Sequence, residues 1–417
     1  MASRWDAGDG IETPYSWLRL IIAILVGTIG GVGMWSVVVA LPAVQAEFGT
    51  GRGNASLPYT LVMLGFAGGG VVMGRLSDKR GITLPLIIGA VALGVGYTLA
   101  ALSPNIWVFI IIHGVLIGAL GSSASFGPLM SDTSLYFSKR RGLAVALCAC
   151  GSYFAGAVWP KVVQYGIDHI GWRMTHMWIG LFCTVSLLPL ALLLRRRAPA
   201  QKPQSGSALL SSAKGGLGLS PGVMQILLGI AGLGCCIAMA MPQVHLVAYC
   251  GDLGYGAARG AEMLSMMLGL GVISRTAGGF VADRFGSLFA LVFGSTMQGL
   301  ALTLFLFFDS LTSLYLISAL FGLFQGGIVP NYAVIVRDYF PAEEAGRRVG
   351  IVLMATLVGM AVGGWMSGAI FDLTGSYAMA FLNGLLFNLV NLVIVVALLM
   401  RSGGVLAVYH QRSIKPA

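Results

Sequence analysis

Two stretches decide the fold: Gly74-Arg75-Leu76-Ser77-Asp78-Lys79-Arg80-Gly81, and Gly279-Phe280-Val281-Ala282-Asp283-Arg284-Phe285-Gly286. Each follows a long apolar run, and they lie 279 − 74 = 205 residues apart. Two further landmarks repeat at nearly the same offset. Tyr136-Phe137 returns as Tyr339-Phe340, 203 residues on, and Asp168 and Gly171 return as Asp372 and Gly375, 204 residues on. Such agreement marks two parallel copies of one unit, an arrangement found in transporters that rock two bundles about a midplane site.

Composition says what the unit is made of. Hydrophobic residues are 57% of the 417, and charged residues only 10%, where soluble domains hold about 25%. Soluble enzymes and disordered chains are thereby excluded. Twelve apolar segments can be read: about 17–41, 58–76, 83–102, 107–130, 142–166, 174–194, 222–249, 260–281, 287–308, 311–336, 349–370 and 376–400. Each approaches the ~20 residues that a spanning helix needs. The expected fold is an all-α membrane protein of twelve helices in two six-helix pseudo-repeats. Residues 1–194 are the first bundle, 195–221 a cytoplasmic linker, 222–400 the second bundle and 401–417 a cytoplasmic tail. The linker opens on Arg195-Arg196-Arg197 and continues through Pro199, Pro203 and Gly206, a composition that suits flexible chain.

The net charge of +10 would suggest nucleic acid in a soluble protein, but here it orients the chain. Of 25 Lys and Arg, Arg52, Arg173 and Arg259 fall in outer loops, and Lys161 and Arg275 inside spans. The other 20 fall on the side that also holds both termini. The positive-inside rule then makes both termini cytoplasmic, in a multi-pass plasma (inner) membrane protein. The first residues hold Asp6, Asp9 and Glu12 beside Arg4, so no basic signal-peptide start is evident. The six cysteines lack metal-ligand spacing and read as small packing residues. No metal or cofactor is expected. The expected partners are the bilayer and a small solute, with one chain sufficient to function.

The paired stretches carry the pattern G-x-x-x-D-[KR]-x-G, which resembles the signature of the major facilitator superfamily. The resemblance implies a conformational latch at Gly74, Asp78, Lys79 and Gly81, and again at Gly279, Asp283, Arg284 and Gly286. An aspartate at a helix start can accept from free backbone N–H groups and meet arginines of a neighbouring helix.

A narrower likeness lies in Leu135-Tyr136-Phe137-Ser138-Lys139-Arg140-Arg141-Gly142-Leu143-Ala144. It is similar to the fifth-helix signature of the monocarboxylate porter family. Gly31-Val32-Gly33-Met34-Trp35 loosely echoes that family's first-helix motif. The likeness implies a carrier of lactate, pyruvate and related acids, usually with a proton. The sequence departs from animal members: span 1 has no ionisable residue after Arg19, and Gly271 stands where they place an aspartate. Asp252 sits where bacterial members can place an acid, so it is the candidate proton-coupling group.

Arg275 is the foremost candidate for substrate binding. Asp283, eight residues on, marks the inner end of its helix, so Arg275 sits about 12 Å into a core ~30 Å thick. A cation there costs at least about 2.5–3.5 kcal/mol unless compensated. An anionic substrate would compensate it, and the guanidinium fork matches a carboxylate bidentately. The plain alternative is an arginine that caps backbone carbonyls. In the porter family the matching arginine binds the substrate carboxylate.

Lys161 is either a lysine snorkelling to outer headgroups or a second cation in the cavity. The second reading would suit a dicarboxylate, and oxalate–formate exchangers, related in fold, pair a helix-8 arginine with a lysine in span 11. His245 follows Pro242, whose missing N–H interrupts span 7; it could donate to a carboxylate or pass a proton, or simply be structural. Asn331 and Tyr332 follow the breaker Gly326-Gly327-Ile328-Val329-Pro330 in span 10. Ser125 sits in the pseudo-equivalent Gly121-Ser122-Ser123-Ala124-Ser125 of span 4. All three could line a cavity, though small residues such as serine also permit close helix packing.

The expected function is a secondary transporter of small organic anions, foremost a proton-coupled carrier of lactate-like monocarboxylates working by alternating access. The alternative is an anion exchanger of oxalate–formate type or another dicarboxylate carrier. No H-E-x-x-H or G-x-x-x-x-G-K-[ST] is present and no deep carboxylates pair, so neither an enzyme nor an ATP-driven pump is indicated.

Overall fold

A computed structural model describes residues 12–138, 140–196 and 218–402. The described residues form helices and no strand. The hydrocarbon offers backbone groups no water, so helices that satisfy themselves are what this composition can build. The helices are α1 (Pro14–Phe48), α2 (Arg52–Arg80), α3 (Thr83–Ala101), α4 (Ile106–Ser134), α7 (Pro221–Asp252), α8 (Ala257–Phe285), α9 (Ser287–Phe307), α10 (Leu311–Tyr339), α11 (Ala342–Thr374) and α12 (Tyr377–Arg401). Between α4 and α7 lies Arg141–Leu193, which is two helices, α5 and α6. They meet at Gly171, whose φ of 75° and ψ of 160° no side chain readily adopts. Twelve spans result, as the sequence led us to expect, mostly longer than the apolar runs alone.

Local signals set the ends. Thr13 and Ser16 form a reciprocal capping box ahead of Pro14. Asn105, Ser220 and Ser310 accept from the backbone three residues on. Gly49 and Gly375 close α1 and α11 in left-handed conformation, at φ 58° and 68°.

The described residues group into two compact units. One comprises those within 1–205 together with Gly256–Ser265; the other comprises those within 206–255 and 266–417. Most of the expected linker (197–217) and tail (403–417), with Lys139, lies outside the described residues.

Within each unit the repeat is visible in packing. In the first, a Cβ at Gly65 would come 2.1 Å from the Gly114 carbonyl oxygen, so α2 and α4 touch backbone to backbone. In the second, a Cβ at Gly326 would come 2.1 Å from that of Gly271, and α8 and α10 touch likewise. A Cβ at Gly31 would lie 2.7 Å from that of Ala155, between α1 and α5; one at Gly363 would lie 2.6 Å from the Ile237 carbonyl, between α7 and α11. Small residues at these crossings allow the close approach that holds helices together in lipid.

One end of the first unit is tied by Arg173. Its Nε donates to Glu47 at 2.7 Å, its Nη groups donate to the carbonyls of Ala101 and Ser103, and Trp172 Nε1 donates to the same carboxylate.

Candidate functional site

The two breakers recognised in the sequence open α4 and α10. In α4, His113–Gly121 is wound as π-helix and Ser122–Ser125 as 3₁₀. In α10, regular helix stops at Gln325 and resumes at Ile328. The Gly327 N–H at this break donates to Ser274 Oγ of α8, at 3.2 Å. A Cβ at Gly278 would meet Gly327 Cα at 3.0 Å. These contacts turn Ser274 and Gly278 toward α10. Arg275, about 100° further round the helix, is turned aside and is half-buried.

Asn331 and Tyr332 part company. Asn331, only 4% exposed, lines a cavity between α8, α9 and α10. Tyr332 is fully buried; its hydroxyl donates to Asn391 Oδ1 at 2.7 Å, and Asn391 donates to Ser295 at 2.8 Å. Adjacent helical residues point about 100° apart, so one reaches the cavity while the other joins α10 to α12 and α9.

His245 is bound at both nitrogens. Nε2 lies 2.8 Å from the Gly364 carbonyl and must donate to it; Nδ1 then accepts from Tyr377 Oη at 3.0 Å. The ring ties α7 to α11 and α12, and Pro242 lies within α7 three residues earlier. Ser125 is 6% exposed, donates to the Ser122 carbonyl, and fills the place opposite Gly30, where a Cβ would meet its Oγ at 2.3 Å. It joins α1 to α4. Lys161 is exposed on α5, on a stripe with Val158 and Tyr165. Asp252 is exposed in the last turn of α7. The second unit thus holds Arg275, Asn331, His245, Tyr332 and Asp252, each facing different neighbours, and the first holds Lys161 and Ser125.

The motif residues show one difference from expectation. Asp78 and Asp283 are exposed in the last turns of α2 and α8, not at helix starts. The reason is the closing glycine: helix persists until Gly81 (φ 81°, ψ 166°) and Gly286 (φ 96°, ψ 152°), whose N–H groups bond Ser77 and Ala282 carbonyls. Each aspartate therefore faces carbonyl ends on its own helix, and only another element could offer it N–H donors.

Two polar pairs escaped sequence reasoning. Arg19 Nε and Nη2 both donate to the Asp132 carboxylate at 3.0 Å, joining α1 to α4. Tyr136 covers the guanidinium, 4.4 Å from its ring centre. Burial pushes the Tyr136 phenol up to about 12 against the pull of Arg19, so it stays protonated and donates to the Arg196 carbonyl at 2.8 Å. The signal available was an acid two residues beyond the fourth apolar run, which the longer helix takes in. Gln243 of α7 donates to Gln325 Oε1 of α10 at 2.6 Å, deep in the second unit. Each glutamine stands beside a helix breaker, Pro242 or Gly326.

Comparison with known proteins decides the family. The family model of the Major Facilitator Superfamily matches residues 23–311 and 263–407. The chain belongs to this superfamily. It is 27% identical to monocarboxylate transporter 13 of Bos taurus over 75% of this chain and 72% of that one. It is 27% identical to the MFS transporter asaE of Aspergillus flavus over 76% and 71%. Among solved structures, a bacterial homologue of the human lysosomal transporter Spinster matches with a TM-score of 0.66 at 14% identity, covering 97% of this chain and all of that one. The nucleoside transporter NupG matches with a TM-score of 0.67 at 14% identity, over 93% and 99%. At such identity the structural likeness speaks for the fold alone. This superfamily member is a membrane-embedded transporter of a small molecule, not an enzyme.

Proposed function

We propose that this transporter carries small organic anions, foremost monocarboxylates of lactate size, by alternating access and with a proton. The observation that carries the reading is Arg275, a half-buried guanidinium in the middle of α8. An intramembrane cation marks a site for an anion, and a carboxylate meets a guanidinium bidentately. The likeness to a monocarboxylate transporter at 27% identity supports the same class.

In this reading the carboxylate binds Arg275, and neutralising the cation lowers the barrier to rocking the two six-helix bundles. Asp78 and Asp283, with Gly74, Lys79, Gly81, Gly279, Arg284 and Gly286, form the inner latch that opens during the cycle. Asp252, exposed in the last turn of α7, is the acid assigned to carry the proton; His245, bonded at both nitrogens, is better suited to hold helices. The chain would work as a monomer in the plasma membrane with both termini cytoplasmic. Lys161 would join the site only for a dicarboxylate.

The test is uptake of labelled L-lactate by proteoliposomes, with and without an inward proton gradient. Uptake that the gradient stimulates and Arg275→Ala abolishes is expected. Uptake that ignores pH but requires an internal anion would replace symport with exchange, and dicarboxylates would be tested with Lys161→Ala. Uptake equal in wild type and Arg275→Ala would overturn the anion site.

A further inference from the structure

The second unit holds a cavity of about 80 Å3 between α8, α9 and α10. It sits at the break in α10: Gly327 and Ile328, where the second helical segment starts, form part of its wall. Two polar side chains line it. Asn331 is 96% buried and makes no hydrogen bond among the described residues. Ser274 is spent only as an acceptor, from Gly327 N–H, so its proton is left to donate. The remaining wall is apolar, including Phe293, Phe324 and Val281, and no charged residue lines it among the described residues.

Each property narrows what fits. The Asn331 amide faces the cavity without a protein partner among the described residues, so the site favours an occupant that can bond to it. Water finds its two to four partners at Asn331 and Ser274 but leaves the apolar remainder of the wall uncovered, which an occupant with a short carbon tail fills. An ionised ligand fits worse, since nothing charged offsets its desolvation. The volume is about half of the 150 Å3 that holds a benzene ring, which leaves room for about four heavy atoms. The mouth completes the picture. Phe293 is 40% exposed and Leu323 39%, so the cavity opens between apolar side chains of spanning helices. A ligand entering there comes from the hydrocarbon and must dissolve in it.

We propose that this cavity is a binding site for a short, neutral, hydroxyl-bearing amphiphile that enters from the bilayer. Its oxygen bonds Asn331 and Ser274, and its tail of about three or four carbons rests on Phe293 and Phe324. The site is separate from the anion chemistry of Arg275. Its occupant touches the Ser274–Gly327 junction, so binding stiffens the break in α10 and slows any step in which α8 and α10 move apart.

The full chain in lipid nanodiscs can be photolabelled with 3-azibutanol, a four-carbon alkanol bearing a diazirine, and mapped by mass spectrometry. Label is expected to concentrate on Val281, Phe293 and Asn331. It should fall at least fivefold with excess 1-butanol, and be unchanged by butyrate ion at pH 8. Ala277→Phe, which fills the cavity, should cut it at least tenfold, and Asn331→Leu at least fivefold. Should Ala277→Phe fail to fold, Ala277→Met gives the smaller filling. Label spread evenly over exposed apolar residues such as Phe280, Leu316 and Val393 would overturn the site, as would label indifferent to filling. Displacement by butyrate as effective as by butanol would overturn the neutral ligand.

Discussion

Arg19 and Asp132, 113 residues apart, form a two-pronged ion pair inside the first unit, with the arginine 2% exposed. It fixes the start of α1 against the end of α4. Tyr15 and Tyr136 complete the cage, by a hydrogen bond at 3.2 Å and by ring stacking on the guanidinium.

Removing one partner of that pair strands a buried charge. Asp132→Ala should lose about 3–5 kcal/mol of stability, read as a lower melting temperature in detergent, whereas the double change Arg19→Met with Asp132→Leu should recover most of it. Equal melting of wild type and Asp132→Ala would show that solvent reaches the pair.

Tyr377→Phe takes the donor from His245 Nδ1. The buried nitrogen then loses the Tyr377 hydroxyl, at a cost of about 1–3 kcal/mol. Lactate uptake at a temperature where the variant stays folded should keep its dependence on the proton gradient. Loss of that dependence would restore His245 as a proton carrier.

Glycines of the repeated motif and of the α10 break should differ in tolerance. A Cβ at Gly74 meets nothing within 4 Å, so Gly74→Ala should leave folding unchanged. Gly81 has the same open space but a φ of 81° with extended ψ, which costs a side chain about 1–3 kcal/mol. Gly326→Ala should prevent folding outright, because its Cβ would enter the Gly271 carbonyl. Yields of folded protein on size-exclusion chromatography distinguish the three.

Arg275→Lys keeps the charge and loses the fork. Uptake of a monocarboxylate should fall about tenfold, corresponding to about 1.4 kcal/mol, while the amide analogue lactamide should be carried by neither protein. Transport of lactamide by the wild type would show that the site does not select for negative charge.

Local properties were legible in the sequence. Apolar runs gave the spans, since hydrocarbon permits little else than helices. The offset near 204 gave the repeat, which the structure carries down to paired crossings such as Gly65 on Gly114 and Gly326 on Gly271. The motif glycines were legible as a repeat, but that Gly81 and Gly286 stop the helices after Asp78 and Asp283 only the structure showed. Arg275 stood out because a charge is rare so deep in a span. What the sequence could not show was direction and partnership. Asn331 and Tyr332 looked alike as neighbours beside a breaker, yet rotation along α10 sends one into a cavity and the other to Asn391. His245 looked available until Gly364 and Tyr377, 119 and 132 residues away, occupied both its nitrogens. Ser125 looked like a cavity hydroxyl until Gly30 brought α1 against it. The sequence alone determined that this is a twelve-helix, twofold-repeated membrane carrier, because hydropathy, helix stops and charge bias act within a few residues. Only the tertiary structure decided which polar groups hold helices together and which face a cavity, because hydrogen bonds between helices join residues that the chain keeps a hundred positions apart.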